Sequence, residues 1–298
     1  MANLERTNEW KIVGTLIGVE QKCGVSKRNG HNWVSITATV KAVLNDVENK
    51  FKVRFFTTDT KANGEKNKRY DQYLNLERDF KGHKVERTGT IAENRFMGRD
   101  GQRHTSNQLN GKFRHATSDS TADTAKFSVG GFLVATPAEK RNKDNELYGY
   151  RVEIGQANYQ GDNRQDIILD IDPKDTIVLN GINNYKIGDT IVRNGRRSSI
   201  ETTTTVEDKV AFGEPIVRTF TNHSNHYFIT GGKAPITNAE DGQYSSETIH
   251  ALVAAYKAAK ALFQQEHSGD KVATNADDAP IAETKAPARA TVAQSSLI

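Results

Sequence analysis

The stretch "FKVRFF" at residues 51–56 places two cations and an aromatic ring at alternate positions. In a β-strand, successive side chains point to opposite faces, so Lys52, Arg54 and Phe56 would share one face while the other residues face a core. Cations bind phosphate groups, and a flat ring stacks on a nucleic-acid base. These three side chains are therefore candidates for contact with a polyanion that exposes its bases.

A neighbouring segment supplies the same chemistry. Aliphatic and polar side chains alternate through residues 33–43, which sends Trp33 to the same outer face. An exposed indole lowers solubility unless a ligand covers it. Five further candidates complete a basic, aromatic groove: Arg69, Tyr70, Tyr73, Arg95 and Phe96. The alternative is that Trp33 belongs to the core and that the two tyrosines pack a short helix onto it.

The elements that would position these residues are mostly strands. Periodic segments up to residue 230 have period two, which is typical of antiparallel β structure. Five strands are predicted in the first part of the chain, with a short helix at 70–80 before the fourth: 10–20, 33–43, 51–58, 84–96 and 102–114. Asp100 and Gly101 have hairpin-turn chemistry. The small polar residues at 118–125 predict a linker.

The same pattern recurs beyond that linker. Segments beginning at 11, 34 and 51 are echoed 116 positions downstream, and the segment at 81–91 is echoed 106 positions downstream. This register predicts an internal duplication, with two unrelated β domains as the alternative. In the second copy Ile168, Asp170 and Asp172 replace the cations and ring of 52, 54 and 56. Because carboxylates repel phosphate, we expect the second copy to be a weak or different binder.

The order of three strands, a helix and two strands is that of an oligonucleotide-binding (OB) fold. The opening "WKIVGTLIG" and the segment at 82–104 resemble the single-stranded DNA-binding proteins of the bacterial type, including bacteriophage versions. Within that segment Gly82, Gly89, Phe96 and Arg103 occupy positions of the family pattern. The resemblance adds Arg103 to the candidate DNA-binding residues. It also implies a role in DNA replication or recombination, contacts with proteins of those processes, and assembly of two chains into a dimer.

The predicted fold class is mainly β, with two tandem five-stranded OB barrels, a C-terminal helix and a disordered tail. The predicted domains are an N-terminal binding barrel, a linker, a second barrel, an amphipathic helix and the tail, at 4–117, 118–125, 126–232, 244–267 and 268–298 respectively. Ser245 or Ser246 would cap the helix. We expect its apolar stripe to pack on the preceding barrel, with contact between subunits as the alternative.

Charge and composition fit this picture. Residues 1–125 contain 22 Lys and Arg against 15 Asp and Glu, whereas the remainder has 19 against 22. A basic first half is the natural place for a polyanionic partner. With 36% hydrophobic residues and a single cysteine, Cys23, we expect a reduced cytoplasm, that of a bacterial host if a phage encodes the chain, and no membrane association.

We expect no enzyme activity, metal or cofactor. Asp166, Asp170 and Asp172 share a strand face, but no matching His or Glu cluster accompanies them. His223 and His226 would face the same way only on a helix, and their surroundings predict a strand. The favoured function is sequence-independent binding and protection of single-stranded DNA. Two alternatives remain: an assembly protein whose OB barrels contact other proteins, and an RNA-binding protein.

Overall fold

The computed structural model describes residues 4–98, 102–112, 117–142, 144–158, 160–208 and 216–266. Its first half contains five strands and two short helices. In chain order these are β1 (Asn8–Val25), β2 (Asn32–Leu44), β3 (Val47–Thr58), α1 (Lys68–Leu74), α2 (Leu76–Phe80), β4 (Lys84–Met97) and β5 (Arg103–Lys112). The predicted strands and the helical segment are all present, and β1 extends five residues further than expected. The hairpin turn predicted at Asp100 and Gly101 lies outside the described residues.

These five strands close into a barrel. β1 pairs in antiparallel fashion with both β2 and β4, β2 pairs with β3, and β4 pairs with β5. A parallel bridge between Arg54 and Asn110 joins β3 to β5 and completes the ring. This strand order, with the helices between β3 and β4, is that of the OB fold. The prediction of an OB barrel is confirmed.

The second half repeats the strand order. It contains β6 (Thr124–Leu133), β7 (Ala138–Arg141), β8 (Leu147–Ala157), β9 (Arg164–Ile171), α3 (Thr176–Asn183), β10 (Thr190–Asp208) and β11 (Ile216–Gly232). The ring runs β6, β8, β9, β11, β10 and back to β6, again with one parallel bridge, between Phe228 and Asp170. The short β7 pairs with β8 outside this ring. The chain therefore contains two tandem OB barrels.

The cores of the two barrels follow the alternation of their third strands. Phe51, Val53 and Phe55 of β3 are at most 1% exposed, and the β9 residues 116 positions later are fully buried. Gly89 in β4 and Gly195 in β10 are equivalent at the second offset of the repeat, 106 positions. A Cβ atom at either position would lie about 2 Å from a carbonyl oxygen of the neighbouring strand, at Asn110 or Phe228. Both barrels thus close tightly enough to require glycine there.

Backbone pairing joins the barrels into one sheet of eleven strands. Residues Asn8 to Val13 of β1 pair in antiparallel fashion with Thr124 to Val129 of β6. The predicted linker at 118–125 therefore ends inside β6. Asp123, just before that strand, forms an ion pair with Lys84 at 2.9 Å and accepts a hydrogen bond from the backbone of Val43 at 2.7 Å. The connection is held against the first barrel by these contacts.

The last two strands of each barrel also contact the third strand of the other barrel: β10 contacts β3, and β5 contacts β9. On one side, the Asn49 side-chain oxygen accepts a hydrogen bond from Ser199 N at 2.8 Å, and Ser199 Oγ donates to Lys50 O at 2.6 Å. On the other side, Asn107 of β5 accepts from the backbone N–H of Ile168 at 2.9 Å. Polar side chains therefore satisfy backbone groups across the boundary between the barrels.

A final helix, α4 (Ser246–Glu266), covers part of the second barrel. Ser245 Oγ accepts a hydrogen bond from Thr248 N at 3.1 Å and caps its N-terminus, as one of the two predicted caps. Leu252 and the partly buried Ile249 pack with Phe132 and Ala157 of the second barrel. The apolar stripe thus packs on the preceding barrel. The predicted tail at 268–298 lies outside the described residues.

One buried carboxylate ties α4 to both barrels. Glu93 in β4 has a side chain only 2% exposed and accepts hydrogen bonds from Arg95 Nη2 and Tyr256 Oη, each at 2.8 Å. It also accepts from Arg103 Nη2 and from the backbone N–H of Asp166 in β9, each at 3.2 Å. Burial opposes ionisation, but these hydrogen bonds outweigh it, and the pKa of Glu93 is lowered. Glu93 is therefore ionised at neutral pH.

Within the described ranges, no helix combines the length and the apolar character needed to cross a bilayer.

We predict that Glu93→Gln lowers the free energy of unfolding by about 3–5 kcal/mol, because it leaves Arg95 and Arg103 without their counter-charge. Urea titration followed by circular dichroism at pH 7 measures this change. The matched control is Glu77→Gln, which removes an exposed ion pair with Lys81 and should cost less than about 1 kcal/mol. Equal costs for the two variants would contradict the prediction. Since the pKa of Glu93 is depressed, its stabilising contribution is complete above pH 4.5 and falls away below it.

Candidate nucleic-acid interface

The outer face of β2 and β3 carries the central predicted residues. Cross-strand pairs place Phe56 opposite Ser35, Arg54 opposite Thr37, and Lys52 opposite Thr39. Lys52 and Arg54 are half-buried, whereas the Phe56 side chain stands 61% exposed. The alternation expected from sequence is the one that the barrel adopts, since the residues between them are core.

Trp33 and Phe56 form an aromatic pair on this face. Their ring centroids are 6.3 Å apart with an interplanar angle of 26°. Trp33 is half-buried and lies outside the core cluster, so the alternative that it is a core residue does not hold. Gly24 of β1 pairs with Trp33, and a Cβ atom there would lie 2.7 Å from the indole. Gly24 thus lets the indole lie across β1. This role of Gly24 was not predicted.

The second barrel contributes a carboxylate at one end of this face. Glu201 of β10 forms an ion pair with Lys50 at 2.5 Å, and Lys50 lies on the same strand face as Lys52 and Arg54. The hydrogen bond raises the pKa of Lys50 and lowers that of Glu201. Neither residue was predicted, because their contact joins different barrels.

The three candidate residues in α1 differ in their exposure to solvent. Arg69 is exposed at the start of α1, where its backbone N–H donates to the Asn67 side chain. Tyr70 is half-buried and packs against the core. Tyr73 is only 3% exposed and meets Phe55 edge-on, with centroids 5.4 Å apart. Its assignment as a base-stacking residue is wrong, because it faces the barrel core as the alternative proposed.

Arg95 and Arg103 do not line the groove. Both lie in the cluster around Glu93, with the guanidinium groups 5.1 and 5.5 Å from the centroid of the Tyr256 ring. The Arg103 side chain is 2% exposed, so its assignment to an open DNA-binding face is corrected. This happens because β4 extends beyond the end of the first barrel. There its inward-facing side chains contact the second barrel and α4.

Phe96 points to the opposite side of β4 and is half-buried. It pairs directly with His104 of β5, and their rings stack with centroids 5.6 Å apart at 21°. His104 was not predicted, although a hairpin turn at residues 100 and 101 would place it opposite Phe96. Phe96 and His104 form a second aromatic pair, on the hairpin.

The corresponding strand of the second barrel, β9, carries ion-paired carboxylates. Asp170 is 5% exposed and accepts hydrogen bonds from Lys140 Nζ at 2.7 Å and from Tyr227 N at 3.0 Å. His226 lies 3.5 Å from its carboxylate, and Asp166 is paired with Arg164. Of the two carboxylates at the positions equivalent to 54 and 56, Asp170 is thus buried and ion-paired, whereas Asp172 is half-buried and accepts a hydrogen bond from Lys174 N at 3.0 Å.

Three further arginines of the second barrel lie over aromatic rings. Arg193 and Arg197 are 5% exposed and lie over the rings of Tyr185 and Phe51. Arg196 lies 5.2 Å from the centroid of the Phe228 ring. Among the residues that the structure describes, no group of three or more His, Cys, Asp or Glu side chains is placed to hold a metal ion.

The family model described as YorF matches residues 6–269. The chain belongs to the YorF family. No curated protein matches it. Among solved structures, this YorF-family chain is similar to a deletion mutant of the single-stranded DNA-binding protein from Thermus aquaticus, with a TM-score of 0.48, 13% identity, and coverage of 81% of this chain and 98% of that one. It is also similar to a replication protein A heterotrimer bound to ssDNA, with a TM-score of 0.18, 11% identity, and coverage of 84% and 70%.

Proposed function

We propose that this protein binds single-stranded DNA, without sequence preference, on the outer face of β2 and β3. The observation that carries the proposal is the aromatic pair of the half-buried Trp33 and the exposed Phe56, with Lys52 and Arg54 on the same strand face as Phe56. Each base stacked on such a ring contributes about 1–3 kcal/mol whatever its identity, and the cations follow the phosphates. Duplex DNA offers its bases poorly, because they are already stacked on one another.

Further contacts extend this face. Arg69 is exposed beside the groove, and Phe96 with His104 offers a second stacking surface on the β4–β5 hairpin. On the second barrel Ile168, Asp170 and Asp172 stand in place of the cations and ring, and Asp170 is buried in an ion pair with Lys140, so we assign strand binding to the first barrel. The second barrel would then act by placing its β10–β11 hairpin, with Glu201, at one end of the groove.

The wider role is part of the same proposal and rests on the sequence resemblance. It includes internal duplication of one ancestral barrel, protection of single strands during replication or recombination, partner proteins of those processes, and a dimeric assembly. It also includes a cytoplasmic location, in a bacterial host if a bacteriophage encodes the chain. The repeated strand order, with equivalent glycines at 89 and 195, supports the duplication.

The direct test is a mobility shift with labelled oligo-dT and with duplex DNA of equal length. Preferential binding of oligo-dT is expected. Equal binding of both forms, or of neither, contradicts the proposal, and binding of neither favours the alternative of a protein-assembly role. Oligo-U in a third lane tests the RNA alternative, because stacking faces accept any base and only a contact to the 2′-hydroxyl discriminates.

Trp33→Ala and Phe56→Ala should each weaken oligo-dT binding by about 1–3 kcal/mol through loss of a stacked base. Fluorescence anisotropy of a labelled oligonucleotide measures the affinity. Tyr148→Ala, which removes another exposed ring, 47% accessible, on the second barrel, is the matched control and should bind as the wild type does. If the Trp33 variant unfolds while the Phe56 variant keeps full affinity, the proposed surface is wrong.

Lys52→Ala and Arg54→Ala should each reduce the slope of log affinity against log salt by about 0.7–1, because one released counterion is lost per phosphate contact. Titrations of oligo-dT at several chloride concentrations give the slope. Lys186→Ala, an exposed lysine of the second barrel, should leave it unchanged. A slope that is the same in all four proteins would place the phosphates elsewhere.

A further inference from the structure

A basic cleft lies between α4 and the outer face of the second barrel, with β5 of the first barrel as one wall. Its volume is about 440 Å³. Five cationic side chains line it: Arg103, Arg151, Arg164, Lys257 and Lys260. Only two carboxylates, Glu153 and Asp166, line the same cleft. The surplus of positive charge is three, which favours an anionic occupant.

The two carboxylates are already neutralised by arginines beside them. Asp166 is paired with Arg164 at 2.7 Å, and Glu153 with Arg151 at 2.8 Å. Lys257 and Lys260 are exposed on the face of α4 that overlooks the cleft. Arg103 shares its counter-charge, Glu93, with Arg95, so the surplus charge resides mainly on these two lysines.

Arg103 carries the strongest indication of a ligand. Its side chain is 2% exposed, and the rings of Tyr256 and Phe263 lie 5.5 and 5.7 Å from its guanidinium group. Nη2 reaches Glu93, but buried Nε and Nη1 have no hydrogen-bond acceptor among the described residues. A buried donor without an acceptor costs about 1–3 kcal/mol, and more when charged. An oxygen-rich anion in the cleft would remove that cost.

The geometry points to a phosphate-binding site in this cleft. A phosphate group carries more charge than a carboxylate and offers several acceptor oxygens, which suit the fork of an arginine together with two lysines acting as point charges. Tyr256 in the lining is 9% exposed, and its ring is covered by guanidinium groups, with Arg164 at 4.4 Å. The other ring of the lining, that of His104, stacks on Phe96. The charged groups that remain in the cleft therefore favour an anion over a base.

Two sources of phosphate fit this chemistry: the backbone of a bound DNA strand, and free phosphate or pyrophosphate. The phosphate site does not depend on strand binding by the first barrel. Only the assignment of its ligand to the backbone of a bound DNA strand rests on the proposed function. The test uses the full chain and calorimetric titration with inorganic phosphate and with pyrophosphate at constant ionic strength.

The test variant is Lys257→Ala with Lys260→Ala, and the control is Lys186→Ala with Lys233→Ala, which removes two exposed lysines of the second barrel outside the cleft. The test variant should lose about tenfold or more in affinity, because charge-assisted contacts are removed. The control should bind as the wild type does. Arg103→Lys keeps a charge opposite Glu93 but removes the Nε and Nη1 donors, and should also bind more weakly. Equal affinity in all four proteins, or no binding by the wild type, overturns the site.

Oligo-dT of two lengths then identifies the source. A length of about 8 nucleotides is within the roughly 4–16 that one OB barrel covers, and about 30 nucleotides exceeds it. If the DNA backbone is the ligand, the test variant weakens binding of the longer oligonucleotide alone. If free phosphate is the ligand, neither oligonucleotide is affected. Phosphate binding without any oligo-dT binding would reject the proposed function and retain this site.

Discussion

The backbone pairing between β1 and β6 sets the relation of the two barrels, and most other contacts between them follow from it. Because the pairing is antiparallel, it relates the barrels by an approximate two-fold rotation. The β4–β5 hairpin therefore reaches β9, and the β10–β11 hairpin reaches β3. Equivalent residues meet on the two sides: Glu93 and Ser199 are 106 positions apart, while their partners Asp166 and Lys50 are 116 apart. These are the two offsets at which the sequence repeats.

The chemistry at these two equivalent contacts is different, and the difference decides which face stays open. Where β10 meets β3, Ser199 and Asn49 form neutral hydrogen bonds, and the ion pair of Lys50 with Glu201 lies at one end of the outer face of β2 and β3, on which Phe56 stays exposed. Where β4 meets β9, Glu93 gathers arginines, and α4 lies over them with Tyr256 as a further donor. One pseudo-symmetric arrangement thus yields an accessible aromatic face on the first barrel and an ion-paired junction, covered by α4, on the second.

Local alternation was sufficient to predict the strand order and the outward position of Trp33 and Phe56, because in a barrel one face of each strand must be core. It failed where the environment of a residue is set by distant parts of the chain. Tyr73 is turned inward by the packing of α1, and Arg103 is buried by a helix about 150 residues later in sequence. The pair of Lys50 and Glu201 carries no local signal, since neither strand pattern specifies the other barrel. Gly24 gave no signal either, because its role appears only when β1 lies beside Trp33.

The two tryptophans of the first barrel occupy contrasting environments. Trp10 is 2% exposed and donates its indole N–H to Thr90 O at 3.0 Å, whereas Trp33 lies half-buried beside Phe56. A sheltered indole emits at shorter wavelength than a solvated one. The intrinsic fluorescence of this chain therefore contains a blue component that reports on closure of the barrel and a red component that reports on its outer surface. A ligand that quenches only the red component must act on that surface while the barrel remains closed.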